Sequence, residues 1–568
     1  MRIYEAIVAG LEAVGVDAVF GGAGENAAGM MLALDASKSI RPIIAKNEQA
    51  AAFMACGYAM FSDRLGVCFA TAGPGAFNLI SGLCVALTDS YPLLAITGYS
   101  TIAWSGRGGL NETSGLNRTP DSQKVFDAVT KANFLIRNLE STADILQQAI
   151  DIAFDGRPGP VHVAVAEDIT DPAMRIANFR LPRLNARPVI PDAARVADAA
   201  DFLREAISKD KRVVLLAGFG AIRAGAHREV LDFVERYQIP LITTLDGKGI
   251  VDESHPLAIG VFADSGHKSA WDLFLESDVV IGLGNSFAQH ATFDFRDDLF
   301  ENRKLVHIDV DPNQIDKVYK ADRAIVGDAR LAISALADAL APLGRIPPKT
   351  FRAPDFDEQR VVKLSPKLHP GQMVQAISRL LPPRGVVLAD AGAHLAWLGY
   401  YLELKEGQNF RKPGTYGPMG IAVNGSIGVK FGAMDRPVVA AVGDGSYLMG
   451  GFELMTAVQH DIPVIWVIFN DGEFKLIKLY QLSSFMDSGL VEFDNPDYVA
   501  YARACGADGY SVDRIDDFED AFSAALASGR PTLIDAQITR LALPHYSPNP
   551  EGVLAGVFER FSSRFGGG

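Results

Sequence analysis

The chain has 568 residues, 48% of them hydrophobic and 21% charged, an ordinary composition for a soluble globular protein and a length that calls for roughly three to four domains. Its formal charge of −15 argues against nucleic acid or an anionic membrane as a partner, because both need a basic face. No apolar run approaches the ~20 residues that span a bilayer.

The first residues carry Glu5 and Glu12 in a helical pattern and do not read as a signal peptide. Residues 1–180 then alternate: helix 3–14, strand 17–22, helix 26–34, strand 41–45, helix 48–61, strand 66–71, helix 76–87, strand 92–98 and a closing strand over 159–166. Such alternation predicts a doubly wound parallel sheet of the α/β class. The Pro-containing segment Leu181–Pro191 reads as a linker. A second α/β unit over 192–345 has strand patterns at 212–218, 241–245, 279–284 and 305–310. A linker over 347–366 leads to a third unit, 367–540, and an amphipathic tail, 541–568. Three doubly wound domains are therefore expected. Cys56, Cys68, Cys84 and Cys505 form no CxxC pair and read as buried thiols of a reducing cytoplasm.

Within the third unit the β-branched run Pro437–Val442 stops at Gly443, as a buried parallel strand does at its carboxyl end. Gly443-Asp444-Gly445-Ser446 then begins a helix, a place that suits a phosphate. An aspartate in such a turn makes sense when a divalent cation lies between it and the phosphates. A helix over 452–459 and a strand over 462–469 return the chain to the same sheet edge, placing Asn470-Asp471 beside Asp444. A lone GDG is more often a tight turn; the 24 residues between Gly445 and Asn470, enough for one helix and one strand, favour a site. Other features are weaker alone. Glu48 opens a helix, where the dipole by itself favours a carboxylate. A Gly-Pro-Gly turn at 73–75 means little, His394 at a helix start is by default a cap, Met419 by default core, and Gly218-Phe219-Gly220 after a strand is weak for a nucleotide.

Together these stretches resemble the thiamine-diphosphate-dependent enzymes, nearest the group of acetolactate (acetohydroxyacid) synthases and cyclohexane-1,2-dione hydrolase, over nearly the whole chain. The resemblance implies a pyrimidine-binding, a central and a diphosphate-binding domain, in that order. It implies Mg²⁺ on Asp444, Asp471 and the backbone carbonyl near Glu473, with diphosphate on Gly392, Ala393, His394, Gly445 and Ser446. Glu48, within KNEQAAA, stands where the family's glutamate bonds N1′ of the aminopyrimidine; Asn47 replaces the usual His. Pro74 and Asn78 of TAGPGAFN would lie against that ring, the Gly417 carbonyl would accept from its amino group, and Met419 would bend the cofactor. The middle unit implies FAD over Gly218, Gly220 and Asp309, with ADP or an empty structural domain as the alternative, since residues 284–290 lack the arginines of the family's GARFDDR.

The pocket is where the chain diverges. Ala23 stands for the family's Pro, Asn117-Arg118 for a Gln, and the paired histidines of pyruvate decarboxylase-like enzymes have no counterpart, the first His being His162. Ala28, Ala76, Phe77, Asn117 and Gln123 are the substrate candidates. The implied reaction is decarboxylation of a 2-oxo acid such as pyruvate and carboligation to a second carbonyl; hydrolytic cleavage of a cyclic 1,2-dione is the alternative. A homodimer or homotetramer with shared active sites, in the cytoplasm, is expected. A flavin or nicotinamide oxidoreductase would also stack α/β domains but would need neither Glu48 nor the Asp444/Asp471 pair, and a non-catalytic paralogue is disfavoured by a workable residue at every cofactor position.

Overall fold

The computed structural model describes residues 1–62, 64–354 and 367–544; the tail beyond 544 and the second part of the 347–366 linker lie outside them. Three six-stranded sheets follow one another along the chain, and every strand pairing in them is parallel. The first contains β1 (Ala18–Gly21), β2 (Arg41–Ile44), β3 (Gly66–Ala70), β4 (Leu93–Tyr99), β5 (Ala132–Ile136) and β6 (Pro160–Ala166). The second contains β7 (Val213–Ala217), β8 (Leu241–Thr243), β9 (Ala258–Val261), β10 (Val279–Leu283), β11 (Lys304–Asp309) and β12 (Arg323–Val326). The third contains β13 (Val386–Ala389), β14 (Asn409–Arg411), β15 (Val438–Gly443), β16 (Val464–Asn470), β17 (Asp508–Val512) and β18 (Thr532–Gln537).

Strand order runs β2-β1-β3-β4-β6-β5 in the first sheet and β14-β13-β15-β16-β18-β17 in the third, which is the same order. The middle sheet runs β12-β11-β10-β7-β8-β9, the order of dinucleotide-binding sheets. The winding reverses between β1 and β3, between β7 and β10 and between β13 and β15, and ligands of such sheets bind outside the carboxyl ends at such points. The central strands β3, β7, β10 and β13 are buried at every residue, as strands covered on both faces must be.

One apolar core joins the first and third sheets, taking Phe20, Phe53 and Met54 from one and Val423, Tyr447 and Trp466 from the other. Its centre is the crossing of helices Glu48–Ser62 and Ile421–Gly432. At the crossing Gly57 lies against the backbone carbonyl of Gly425, and Gly428 against that of Met54, so close that a Cβ at either glycine would collide. Arg411, at the end of β14, lies between the rings of Phe61 and Phe219 at 5.4 and 5.6 Å, so all three sheets contribute to one contact.

Some expected elements are divided. The helix expected over 26–34 is a 3₁₀ turn, Glu25–Ala27, followed by Ala28–Asp35; that over 76–87 is Pro74–Asn78 and Ile80–Asp89; that over 452–459 is a 3₁₀ turn, Gly451–Glu453, followed by Leu454–Gln459. Cys56 and Cys68 are buried as expected, whereas Cys84 and Cys505 are half-buried. No helix among the described residues is long and apolar enough to cross a membrane.

Candidate active site

At the reversal point of the third sheet, β15 and β13 end side by side, with Ala389 in register with Ala441. Asp390 follows β13, is fully buried, and accepts from the N–H groups of Ala391 and Gly420 at 3.0 and 2.7 Å. Burial pushes its carboxyl up to about 7 against the pull of those donors. It thereby ties the turn after β13 to the loop that carries Gly417 and Met419. Gly392 takes a φ of +148° and packs on the ring of His394, which opens the helix His394–Tyr401. His394 is 5% exposed, its Nε2 has no partner, and burial lowers its pKa to about 4.

Asp444 opens the short helix after β15. Its Oδ1 accepts from Gly445 N at 2.9 Å, and its Oδ2 from Gly472 N at 2.7 Å and Asn495 Nδ2 at 2.8 Å. Burial raises its pKa against these three donors. Asp471 stands in the turn after the neighbouring strand β16, and burial takes it to about 7, opposed by Lys475 and reinforced by the charges of Asp444 and Glu473. The Glu473 side chain is engaged by Lys475 and, at 2.6 Å, by Lys478. Asn470 does not point at Asp444: its amide donates to Asp535 at 2.7 Å and accepts from Asn495 at 2.9 Å. Asn495 thus braces both Asp444 and Asn470, and Tyr498 holds it in turn at 2.9 Å. The sequence reading missed Asn495, Tyr498 and Asp390.

A cavity of about 240 Å³ is lined by Gly392, Ala393, His394, Gly417, Met419, Gly445, Ser446, Asp444, Asp471 and Glu473, so one space collects the whole set expected at the diphosphate end. Glu48, Pro74 and Asn78 are not among its lining residues.

Glu48 and Asn78 meet instead at the reversal point of the first sheet, and Pro74 opens the short helix that carries Asn78. Asn78 Nδ2 donates to Glu48 Oε2 at 2.9 Å. The carboxylate lies where a Cβ on Gly22, after β1, would come within 2.6 Å of Glu48 Cγ, and one on Gly75, after β3, within 3.0 Å of Oε1. Asn47 caps the Glu48 helix, its Oδ1 accepting from Gln49 N at 2.8 Å, which is work a short amide does well. Among the substrate candidates Ala76 is buried; Phe77 stacks on Phe126 at 6.2 Å, and Phe126 on the buried His162 at 3.7 Å. Ala28 is exposed. Asn117 spends its amide on the Gly106 carbonyl within its own loop, while Gln123 keeps a buried Nε2 without a partner.

In the middle sheet Gly220 N donates to the Gly284 carbonyl at 2.9 Å across the β7/β10 reversal. A cavity of about 650 Å³ is bordered by Gly220, Asn285, His290 and Asp309; Gly218 is not among its lining residues. Asp309 ends β11 and is nearly buried, and Asn285 Nδ2 is buried without a partner. The two cavities share Ala391, Gly392, Gly417 and Leu476.

The descriptions of three successive thiamine pyrophosphate enzyme domains match this chain: the N-terminal TPP binding domain over residues 1–118, the central domain over 200–336 and the C-terminal TPP binding domain over 390–536. The chain is 31% identical to a probable acetolactate synthase large subunit of Methanocaldococcus jannaschii, with 96% of this chain and 94% of that protein covered. The chain belongs to the thiamine pyrophosphate enzymes. Other relatives in the family are the acetolactate synthase large subunit of Corynebacterium glutamicum, 30% identical over 94% of this chain and 86% of that one, and the isozyme 2 large subunit of Escherichia coli, 29% identical over 94% and 95%.

A thiamine pyrophosphate enzyme must accommodate a diphosphate and its counter-ion, and the residues present suit both. The unpartnered, buried Nε2 of His394 faces the need for an anionic acceptor. Asp444 and Asp471 bring two hard oxygen donors to the same cavity. No group of three or more His, Cys, Asp or Glu side chains among the described residues is arranged to hold a metal ion.

Proposed function

We propose that this chain is a thiamine-diphosphate- and Mg²⁺-dependent carboligase of the acetolactate synthase type, acting on a 2-oxo acid such as pyruvate and on a second carbonyl compound. The observation that carries this reading is the single cavity at the β13/β15 reversal that gathers His394, Met419, Asp444, Gly445, Ser446 and Asp471, in a chain whose relatives bear the acetolactate synthase name. Asp444, Asp471 and the backbone carbonyl near Glu473 would hold the cation; Gly392, Ala393, His394, Gly445 and Ser446 would hold the diphosphate. When bound, the cofactor supplies an electron sink that makes loss of CO₂ from a 2-oxo acid possible. Glu48 has Oε2 fixed by Asn78, which leaves Oε1 to share a proton with a ring nitrogen of the pyrimidine. Pro74 and Asn78 would border that ring, and Met419 and Gly417 would set its orientation from the other side. Ala76 and Phe77, in the short helix that carries Asn78, would offer an apolar wall, with Gln123 and Asn117 as the amide candidates. No histidine stands among these residues to deliver a proton, which favours addition to a second carbonyl over release of an aldehyde.

The larger cavity fits a dinucleotide, and we place FAD there, with Asn285 and Asp309 as the polar groups that would meet it. We place the domain boundaries at 1–180, 192–345 and 367–540, a division that leaves one six-stranded sheet in each unit. Because Glu48 and the Asp444 cavity stand at separate sheets within one chain, the reading calls for a homodimer or homotetramer in which each site takes its two halves from two subunits, working in the cytoplasm. Pyruvate supplied with and without a second carbonyl compound, with products identified by mass, tests the reaction: a 2-hydroxy-3-oxo acid or 2-hydroxy ketone is expected. Acetaldehyde as sole product, or ring opening of cyclohexane-1,2-dione without carboligation, would overturn it. Flavin absorbance of the purified protein checks the middle domain.

A further inference from the structure

Glu453 is 2% exposed and closes the 3₁₀ turn that follows the Asp444 helix. It belongs to the third sheet's layer, yet its Oε1 accepts from the backbone N–H groups of Lys46 at 2.8 Å and Asn47 at 3.1 Å, in the first sheet's layer. Its Oε2 accepts from Thr456 Oγ1 at 2.6 Å. A carboxylate buried this far is costly unless its lone pairs are filled, and here two of the three donors are main-chain groups some 400 residues away in sequence. They are also the two amides that precede Glu48. Asn47 caps the Glu48 helix, and Ala51 N returns to the Asn47 carbonyl at 3.1 Å, so fixing the Lys46 and Asn47 amides fixes where that helix begins. Two neighbouring contacts follow the same seam: Lys46 Nζ donates to Gln459 Oε1 at 3.2 Å, and Arg41 to the His460 carbonyl. Both of these involve exposed side chains that solvent can replace, whereas Glu453 is shut away from water.

We propose that Glu453 is a positioning residue for Glu48: a strut from the diphosphate-binding layer that sets the start of the Glu48 helix in the same chain. The proposal rests on Glu48 being the pyrimidine-side proton carrier. Glu48 needs an unstrained reach of its carboxylate past Gly22 and Gly75, with no room for the helix to slide. If each site is shared between subunits, the strut links the Asp444 turn of one site to the Glu48 of the other, because both of its ends lie in one chain.

The strut is chemical in detail, which makes it testable. Glu453→Gln keeps an oxygen for the two N–H groups and offers an N–H₂ to Thr456 Oγ1, so it should preserve the contact without the charge. Glu453→Ala removes the contact, and Glu453→Asp keeps the charge but withdraws the oxygens by one methylene. Hydrogen exchange of the full-length protein without cofactor reads the Lys46 and Asn47 amides directly. We expect exchange there to speed up about tenfold or more in the Ala and Asp variants, in line with loss of a charged hydrogen-bond acceptor, and to stay within about threefold of the parent in the Gln variant. With thiamine diphosphate and Mg²⁺ added, cofactor C2 proton exchange should fall about tenfold or more in the Ala and Asp variants, with cofactor affinity changed less than about threefold, and the Gln variant should restore it. Parent-like amide exchange in the Asp variant, a Gln variant as impaired as the Ala variant, or loosened amides with undiminished C2 exchange would each overturn the proposal. Glu48→Gln run in parallel separates the two readings: undiminished C2 exchange in that variant would fail the role given to Glu48, while the amide measurement would still decide whether Glu453 holds the helix.

Discussion

Glu48 has one carboxylate oxygen bound to Asn78 and glycine backbone on two sides, so an isosteric amide fits its place. Glu48→Gln is therefore expected to retain thiamine diphosphate while C2 proton exchange falls by ~10²- to 10⁴-fold, the usual range for a general acid–base group; NMR of the bound cofactor measures it, and a loss below about tenfold would contradict the role. Asp89 gives a second prediction at this scale. It is buried, accepts from Gly414 N at 2.8 Å and Thr88 Oγ1 at 2.8 Å, and burial raises its pKa to about 6 despite these donors and Lys412. An unfolded aspartate titrates near ~4. Between those values the folded protein holds the extra proton, so this residue makes stability fall as pH rises from about 4 to 6, with no further change above. Asp89→Asn mimics the protonated form, and thermal melts at pH 5 and pH 8 should differ less in the variant than in the parent; an equal difference would remove Asp89 as the cause. The candidate site was partly legible in the sequence because Glu48, Asp444 and Asp471 sit at strand ends in short patterned stretches. Asn495 and Asp390 were not, because their work is to accept or donate to groups that only the fold brings near, and no spacing announces that.

Among the elements, the strands with continuous β-branched runs were readable: β3, β4, β6, β7, β10, β15 and β16 are buried along almost their whole length. β5, β9, β12, β14 and β17 escaped notice, and so did β18, although it is buried along most of its length. β5, β9, β12, β14 and β17 lie at or next to sheet edges, are short, and several mix half-buried residues, so one face carries the only apolar signal. The contact between the Glu48–Ser62 and Ile421–Gly432 helices was equally silent, since a glycine in a helix reads as a weakness. Gly428 has the Met54 carbonyl where a Cβ would go, and backbone cannot rotate away as a side chain can. Gly428→Ala should cost on the order of 1–3 kcal/mol, the range for overpacking a filled core, measured by denaturant midpoint. Ala at Gly529, where a Cβ would meet nothing within 4 Å but φ is +61°, is a control that tests strain without collision. If both cost the same, the close crossing is not what Gly428 serves.

For the whole molecule, the decisive fact is that the Glu48 cluster and the Asp444 cavity are built at different sheets and do not share lining residues. Under the proposed shared sites activity should depend on assembly: diluting the protein below the dissociation constant of the dimer is expected to abolish turnover in step with the loss of the dimer in light scattering, whereas a fully active monomer would refute shared sites. Exposed Leu448, Met449 and Phe452, between the Asp444 turn and the Glu453 strut, and Met455 just beyond it form an apolar stretch that such assembly would cover.

The first and third sheets run their strands in one order, and the two helices that cross between them meet through a glycine from each side. A chain that carries one strand order twice, joined by one apolar core, has the form of a twofold pair held within a single chain. Such a pairing constrains change: under the proposed assignment one half carries the glutamate and the other the acidic turn, and a change in one helix at their seam calls for a matching change in the other. Recombination between relatives should then succeed when both helices come from one parent and fail when each comes from a different one.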